Sequence, residues 1–202
     1  MKKLFLSLIL TAFALNVYSQ AQIQGEYHKY IVKKTDDERK KSKSKEWWGA
    51  GVILFSKQDI PREGKIKEVE GMLSNTFTAD DKFVGRVYLP RAVNKMDAVP
   101  PQALIYRIYI DDASTPYQVG VRKDVMKEGG WSSWLLDFTD NFQTAMNSLT
   151  EGTHKVRVEI WSSREVDVKT VYVDENNKPI AFSKDTDNKG KFWASGDFTI
   201  SK

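Results

Sequence analysis

Apolar and polar residues alternate with a period of two over much of the chain, as expected of strands that bury one side. From Thr153 to Trp161, Val156, Val158 and Ile160 fall on one face, and Lys155, Arg157, Glu159 and Trp161 on the other. A second run sets Phe83, Gly85, Val87 and Leu89 against Val84, Arg86 and Tyr88, and a third sets Leu104, Tyr106, Ile108 and Ile110 against Ile105, Arg107, Tyr109 and Asp111. Further strands are predicted at 51–55, 117–121, 131–138, 166–173 and 192–200. In the last of these Phe192, Ala194, Gly196, Phe198 and Ile200 share a face, and the small residues in its middle predict close packing there.

Loops fall between these runs. The segment from Asp174 to Pro179 predicts a hairpin turn, while 111–116 and 185–190 are loops rich in Asp, Asn, Ser and Gly. One helix breaks the pattern near 140–149, capped by Asp140, with Phe142, Ala145, Met146 and Leu149 at helical spacing before Gly152. Residues 35–45 are charge-rich, and with Asp36, Asp37 and Glu38 beside the lysines they predict a solvated loop or a short exposed helix. Val99-Pro100-Pro101 reads as a loop. The spacing of strands predicts a mainly β chain: one antiparallel β-sandwich, immunoglobulin-like or jelly-roll-like, over residues 22–202.

The first residues differ in kind. Met1-Lys2-Lys3 is a basic start, 4–17 is apolar apart from Ser7, Thr11 and Asn16, and small residues follow at 18–22. This pattern predicts a secretory signal peptide over 1–21, cleaved near Ser19 to Gln22, because the apolar run is shorter than the roughly 20 residues of a spanning helix. Export to the periplasm, the cell surface or the medium follows as an expectation. No later segment is apolar enough to span a bilayer as a helix, and the strand runs lack the uniformly apolar face of a membrane barrel.

Composition narrows the chemistry. The 202 residues are 41% hydrophobic and 29% charged, with no Cys. Stability must therefore come from a buried core without disulfides, and a lipid cannot be attached through a Cys at the cleavage point. The formal charge of +4 falls to about +2 without Lys2 and Lys3, too small to point to nucleic acid.

Only His28 and His154 are available for a histidine-dependent triad, and neither has supporting context. There is no Gly-x-Ser-x-Gly elbow, Gly-rich phosphate loop or His pair at helical spacing. The run Asp185-Thr186-Asp187-Asn188-Lys189-Gly190 opens like a calcium loop, but Lys189 stands at the fifth ligand position and Gly196 at the twelfth. A hairpin loop with Gly190 at positive φ is the reading it supports. No catalytic residue, metal or cofactor is expected.

Aromatic side chains are the remaining lead, with 6 Trp and 8 Tyr. Exposed indoles stack on sugar rings, so Trp131, Trp134, Trp161 and Trp193 are candidates for a platform; the spacing of Trp131 and Trp134 puts them on opposite faces of a regular strand. Arg86 with Tyr88, and Arg107 with Tyr109, each present an Arg and a Tyr on one face, and would make a single surface if their strands were neighbours. The competing reading is packing that stabilises the sheet and recognises nothing. The run from Leu149 to Val158 resembles a turn-into-strand phrase of exported immunoglobulin-like and carbohydrate-binding β-sandwiches, and Asp174 to Ile180 resembles their hairpins. That resemblance implies fold and no ligand.

Two function classes follow: a non-catalytic exported protein that binds or assembles in the bacterial cell envelope, and a carbohydrate-binding module using Trp and Tyr. A secreted hydrolase is a third. The expected partner is an envelope protein or a glycan.

Overall fold

The computed structural model describes residues 25–42, 45, 47–97, 103–114, 118–122, 130–138, 146, 149–163 and 190–202. The predicted strand 166–173 and hairpin 174–179, and all of 185–189, lie outside these residues. Of the predicted helix near 140–149, Met146 is described as helical and is fully buried.

Among the described residues, eight strands form one hydrogen-bonded sheet: β1 (Gly51–Ser56), β2 (Thr76–Thr78), β3 (Val84–Tyr88), β4 (Ala103–Ile110), β5 (Gln118–Arg122), β6 (Ser133–Asp137), β7 (Thr153–Ser163) and β8 (Phe192–Ser201). Their order is β5-β4-β7-β8-β1-β3-β6, with β2 also on β8. The molecule is mainly β, but the sheet is mixed where a wholly antiparallel pair of sheets had been expected. β1 runs parallel to β8 at Gly51–Ala194 and Val52–Ser195, and β2 runs parallel to β8 farther along, at Thr76–Thr199 to Thr78–Ser201. A tight hairpin forces antiparallel pairing, whereas the long chain between β1 and β8 leaves their relative direction free.

The sheet curls into a half-barrel, and its concave side is filled by one core that draws on strands near both ends. Val156, Val158 and Ile160 of β7 point into it as the alternation predicts, each at most 1% exposed. Burying one such side chain stabilises by roughly 1.5–3 kcal/mol. Phe55, Phe77, Phe83 and Phe198 meet edge-on or tilted at the β2 end, with Phe77 stacked on Phe83 at 4.5 Å.

The register of β8 departs from the simple alternation at one point. Ile160 pairs with Ala194 and Trp161 with Phe192, so a bulge leaves Trp193 as the extra residue. Trp193 takes the core position, fully buried, and Phe192 turns to the convex face against Trp161. Farther along, a Cβ on Gly196 would lie 2.2 Å from the Ile53 carbonyl oxygen, which is the close approach predicted for the middle of this strand.

Two α-helices with described bounds accompany the sheet, α1 (Glu26–Lys41) and the short α2 (Ile66–Glu70). Residues 35–41 are thus the second half of a 16-residue helix and not a separate exposed element. Tyr27, His28 and Ile31 anchor its first half, while Lys33–Asp37 and Asp36–Lys40 pair along its outer surface at the spacing helices favour. Tyr27 and Ile31 pack with Val52, Ile60, Val69 and Tyr88 into a second core on the convex side of β1 and β3. Among the described residues, no helix is long and apolar enough to cross a membrane.

Candidate functional site

The seven candidate residues separate into three places. β3 and β4 are not neighbours, because β7, β8 and β1 stand between them, so the two Arg–Tyr pairs do not form one surface. Each pair does lie on the convex side.

Arg86 and Tyr88 are covered by the chain that follows β1. Arg86 donates from Nε to the Ile60 carbonyl, and the Tyr88 hydroxyl donates to the Pro61 carbonyl at 3.0 Å. Burial raises the Tyr88 phenol to about 12 and lowers the Arg86 guanidinium. Tyr27 and His28 of α1 meet the Tyr88 ring edge-on, and His28 Nε2 donates to the Leu89 carbonyl at 2.6 Å. Burial lowers the His28 pKa, which fits a neutral imidazole with one donor. This group fastens α1 and the 60–61 segment to the sheet.

Arg107 and Tyr109 sit at the other end of the convex face. The Arg107 guanidinium lies 5.2 Å from the centre of the Trp161 ring, and Arg157 lies 4.8 Å from that of Tyr109. Glu159 joins the two stacks: its carboxylate accepts from the Trp161 indole at 2.8 Å and lies 2.9 Å from Arg157 Nε. Glu159 is only 4% exposed although its strand position faces outward, because these long side chains close over it.

Trp134 is in the concave core, and Trp131, which precedes β6, packs against the same core. The opposite-face expectation assumed a regular strand from 131, and the strand begins at 133. With Trp134 and Trp193 buried, Trp131 on the concave side and Trp161 on the convex side, the four indoles share no exposed platform. Among the described residues the exposed large apolar side chain is Trp48, at 44%.

His154, near the start of β7, is held beside the turn that follows β4. Its Nδ1 lies 2.7 Å from the Asp111 carboxylate and its Nε2 lies 2.9 Å from the Thr150 carbonyl, so both ring nitrogens face acceptors. Only the imidazolium satisfies both, and the Asp111 bond raises the His154 pKa. Asp111 and Asp112 adopt positive φ, at 52° and 57°, which aims Asp111 back to accept also from the Lys155 amide. Gly152 takes positive φ in the facing turn, whereas Gly190 does not: a Cβ there would strike the Ser162 carbonyl, so closeness to backbone accounts for that glycine.

Among the described residues, a cleft of about 720 Å³ lies between α1 and the convex side of β1 and β8. Ile31, Val52, Leu54 and Leu73 supply an apolar lining, and Lys34, Glu38, Arg39, Glu70 and Asp197 supply charge. Arg39 is bound in place, donating from Nη1 to the Ala50 and Gly51 carbonyls at 2.9 and 3.0 Å and from Nη2 to Ser195 Oγ at 3.2 Å. Lys34 is engaged by Glu70, which also accepts from the Tyr30 hydroxyl. Asp197 is open to solvent, yet the surrounding protein raises its carboxyl above the ordinary range.

The alternation along β8 could have shown Asp197 facing outward, but nothing in the linear pattern brought Glu38, Arg39 and Asp197 together. Among the described residues no group of three His, Cys, Asp or Glu side chains could hold a metal ion. The chain matches no protein-family model and no curated protein.

Proposed function

We propose that this protein is exported to the bacterial cell envelope and works there by binding, with the cleft between α1 and the convex side of β1 and β8 as its binding site. The observation that carries the reading is the cleft itself: about 720 Å³ of space combining an apolar lining with charged groups, the usual make-up of a small-molecule site. The basic start and apolar run of the first residues support export. A fixed wall supports binding, because Arg39 ties α1 to the backbone of β1 and to Ser195 of β8.

The test is retention of a ligand from envelope extract by the immobilised protein, compared with a Thr35→Trp variant. Thr35 lines the cleft from α1, and an indole there occupies the space without entering the core. A saturable ligand kept by the wild type and lost by Thr35→Trp is the expected result. Retention indifferent to the substitution, or turnover of a glycoside or ester by the pure protein, would refute the reading. The amino-terminal residue of the exported chain, expected between Ser19 and Gln22, tests the export half independently.

A further inference from the structure

The turn over 47–50 follows α1 and is pinned from several sides. Arg39 Nη1 donates to the Ala50 and Gly51 carbonyls at 2.9 and 3.0 Å, the Gly49 amide donates to the Asp36 carboxylate at 2.8 Å, and the Ala50 amide donates to the Trp47 carbonyl at 3.2 Å. Trp47 is stacked on Phe192 with ring centres 4.7 Å apart, and Gly49 takes positive φ at 70°. This fixed turn leaves the next indole in water: Trp48 is 44% exposed and stands alone among the described residues as an exposed large apolar side chain.

Cations stand beside it. Asp36, which holds the Gly49 amide, also pairs with Lys40, and Lys41 follows in the last turn of α1. Lys45 opens the turn, its carbonyl accepting from the Trp48 amide at 3.4 Å. Lys41 and Lys45 are exposed, and their ammonium groups have no partner among the described residues. Over 39–48 the sequence sets Arg39, Lys40, Lys41, Lys43 and Lys45 against Glu46. The acids earlier in α1 are directed elsewhere, Asp37 to Lys33 and Asp36 to Lys40, while Glu38 lines the cleft beside Arg39. Basic residues in a helix's last turn complement its dipole, which accounts for Arg39, Lys40 and Lys41 without any partner. It does not account for Lys45, beyond the helix, or for a rigid turn that keeps an indole exposed.

We propose that this turn and the end of α1 form a docking surface for an anionic lipid bilayer, with the Trp48 ring among the headgroups and Lys40, Lys41 and Lys45 against lipid phosphates. Two features select a bilayer over a protein. A stable protein interface covers about 800 Å² on each side around an apolar core, and a single indole provides no such core. A lipid surface requires no matching shape; Trp, with an apolar ring and one N–H, settles at headgroup level, and lysines are drawn to the negative surface potential. One indole and a few lysines make the attachment peripheral, reversible and sensitive to salt. It does not depend on the cleft holding a ligand, since Trp48, Lys41 and Lys45 do not line that space.

The test is binding of the full chain to vesicles of phosphatidylcholine alone, or of phosphatidylcholine and phosphatidylglycerol in equal parts, read by co-sedimentation and by quenching of indole fluorescence with brominated acyl chains. An apolar run such as 4–17 enters lipid by itself, so every variant keeps it and the neutral vesicles measure its share. Binding to the anionic vesicles is expected to be at least about tenfold tighter than to the neutral ones and to fall at least about tenfold in about 0.5 M salt. Lys41→Gln/Lys45→Gln and Trp48→Ala should each weaken it at least about tenfold with the melting temperature retained, and Trp48→Ala should remove most of the quenching. Lys29→Gln/Lys82→Gln, at exposed lysines outside this surface, should change it by less than about twofold.

Equal binding to both kinds of vesicle, or none to either, overturns the proposal. So does binding unchanged in Trp48→Ala, or weakened as much by Lys29→Gln/Lys82→Gln as by Lys41→Gln/Lys45→Gln. Equal affinity for polyglutamate, with the same loss in Trp48→Ala, would assign the surface to an acidic polypeptide and overturn the bilayer.

Discussion

Trp134 on β6 donates its indole N–H to the hydroxyl of Tyr106 on β4, 3.2 Å away, although β7, β8, β1 and β3 lie between their strands in the sheet. Such a bond forms only because the sheet curls until its ends face each other across the core. Trp134 is 3% exposed, so its indole nitrogen has little recourse to water. Tyr106→Phe should therefore destabilise by about 1–3 kcal/mol, the cost of an unpaired buried donor. Denaturant unfolding measures it, and a double-mutant cycle with Trp134→Phe should give a coupling of about 0.5–3 kcal/mol. A neutral Tyr106→Phe would remove the bond from any account of closure.

The two Arg–Tyr pairs should respond differently to truncation. Arg86→Ala leaves the Ile60 carbonyl without its guanidinium partner beneath the 60–61 segment and should cost about 1–3 kcal/mol. Arg107→Ala removes a guanidinium from the half-buried Trp161 ring and should cost about 0.5–1 kcal/mol. Melting temperatures of the two variants give the comparison, and the reverse order would contradict the placement of Arg86 under cover.

Gly196→Ala and Gly49→Ala test two different reasons for glycine. At Gly196 the added methyl would strike the Ile53 carbonyl, so β1 and β8 must separate, and overpacking of this kind costs about 1–3 kcal/mol or more. At Gly49, φ is +70° with open space around the Cβ position, so the cost is the roughly 1–2 kcal/mol of a left-handed backbone alone. Amide exchange separates them: faster exchange spreading along β1 and β8 is expected for Gly196→Ala, with only local change for Gly49→Ala.

The Asp111–His154 pair gives stability a pH dependence of defined sign. Bonding to Asp111 raises the folded His154 pKa above its ordinary 6.5, so its contribution is complete below that value and is lost as pH rises through the folded value. Bonding to His154, then to the Lys155 amide, lowers Asp111 below its ordinary 3.8, so its contribution is present above that value and lost as pH falls through the lowered one. The stability difference between wild type and Asp111→Asn should thus be largest between pH 3.8 and 6.5 and shrink on either side. Unfolding midpoints at pH 5 and pH 9 check it, together with an imidazole titration in which Asp111→Asn brings His154 down.

The chain's local pattern carried far for strands and poorly for faces shared between strands. Val156, Val158 and Ile160 were legible as core because alternation is a property of one strand. The bulge beside Trp161 was not, since it arises from how β7 and β8 pair, and it exchanges Phe192 for Trp193 in the core. The helix over 26–41 was legible only as charge at its end, because its apolar anchors, Tyr27 and Ile31, are few and its stability draws on packing against β1 and β3.

Residue order alone therefore determined seven of the eight described strands, missing β2, together with the two faces of β3, β4 and β7 and a core that must hold without disulfides, because these follow from periodicity and residue type. Tertiary structure decided which strands meet. It ran β1 parallel to β8, parted the Arg86 and Arg107 pairs, and placed Glu38 of the helix across a cleft from Asp197 of the last strand. Such relations depend on contacts between residues far apart along the chain, for which spacing of two or of 3.6 holds no information.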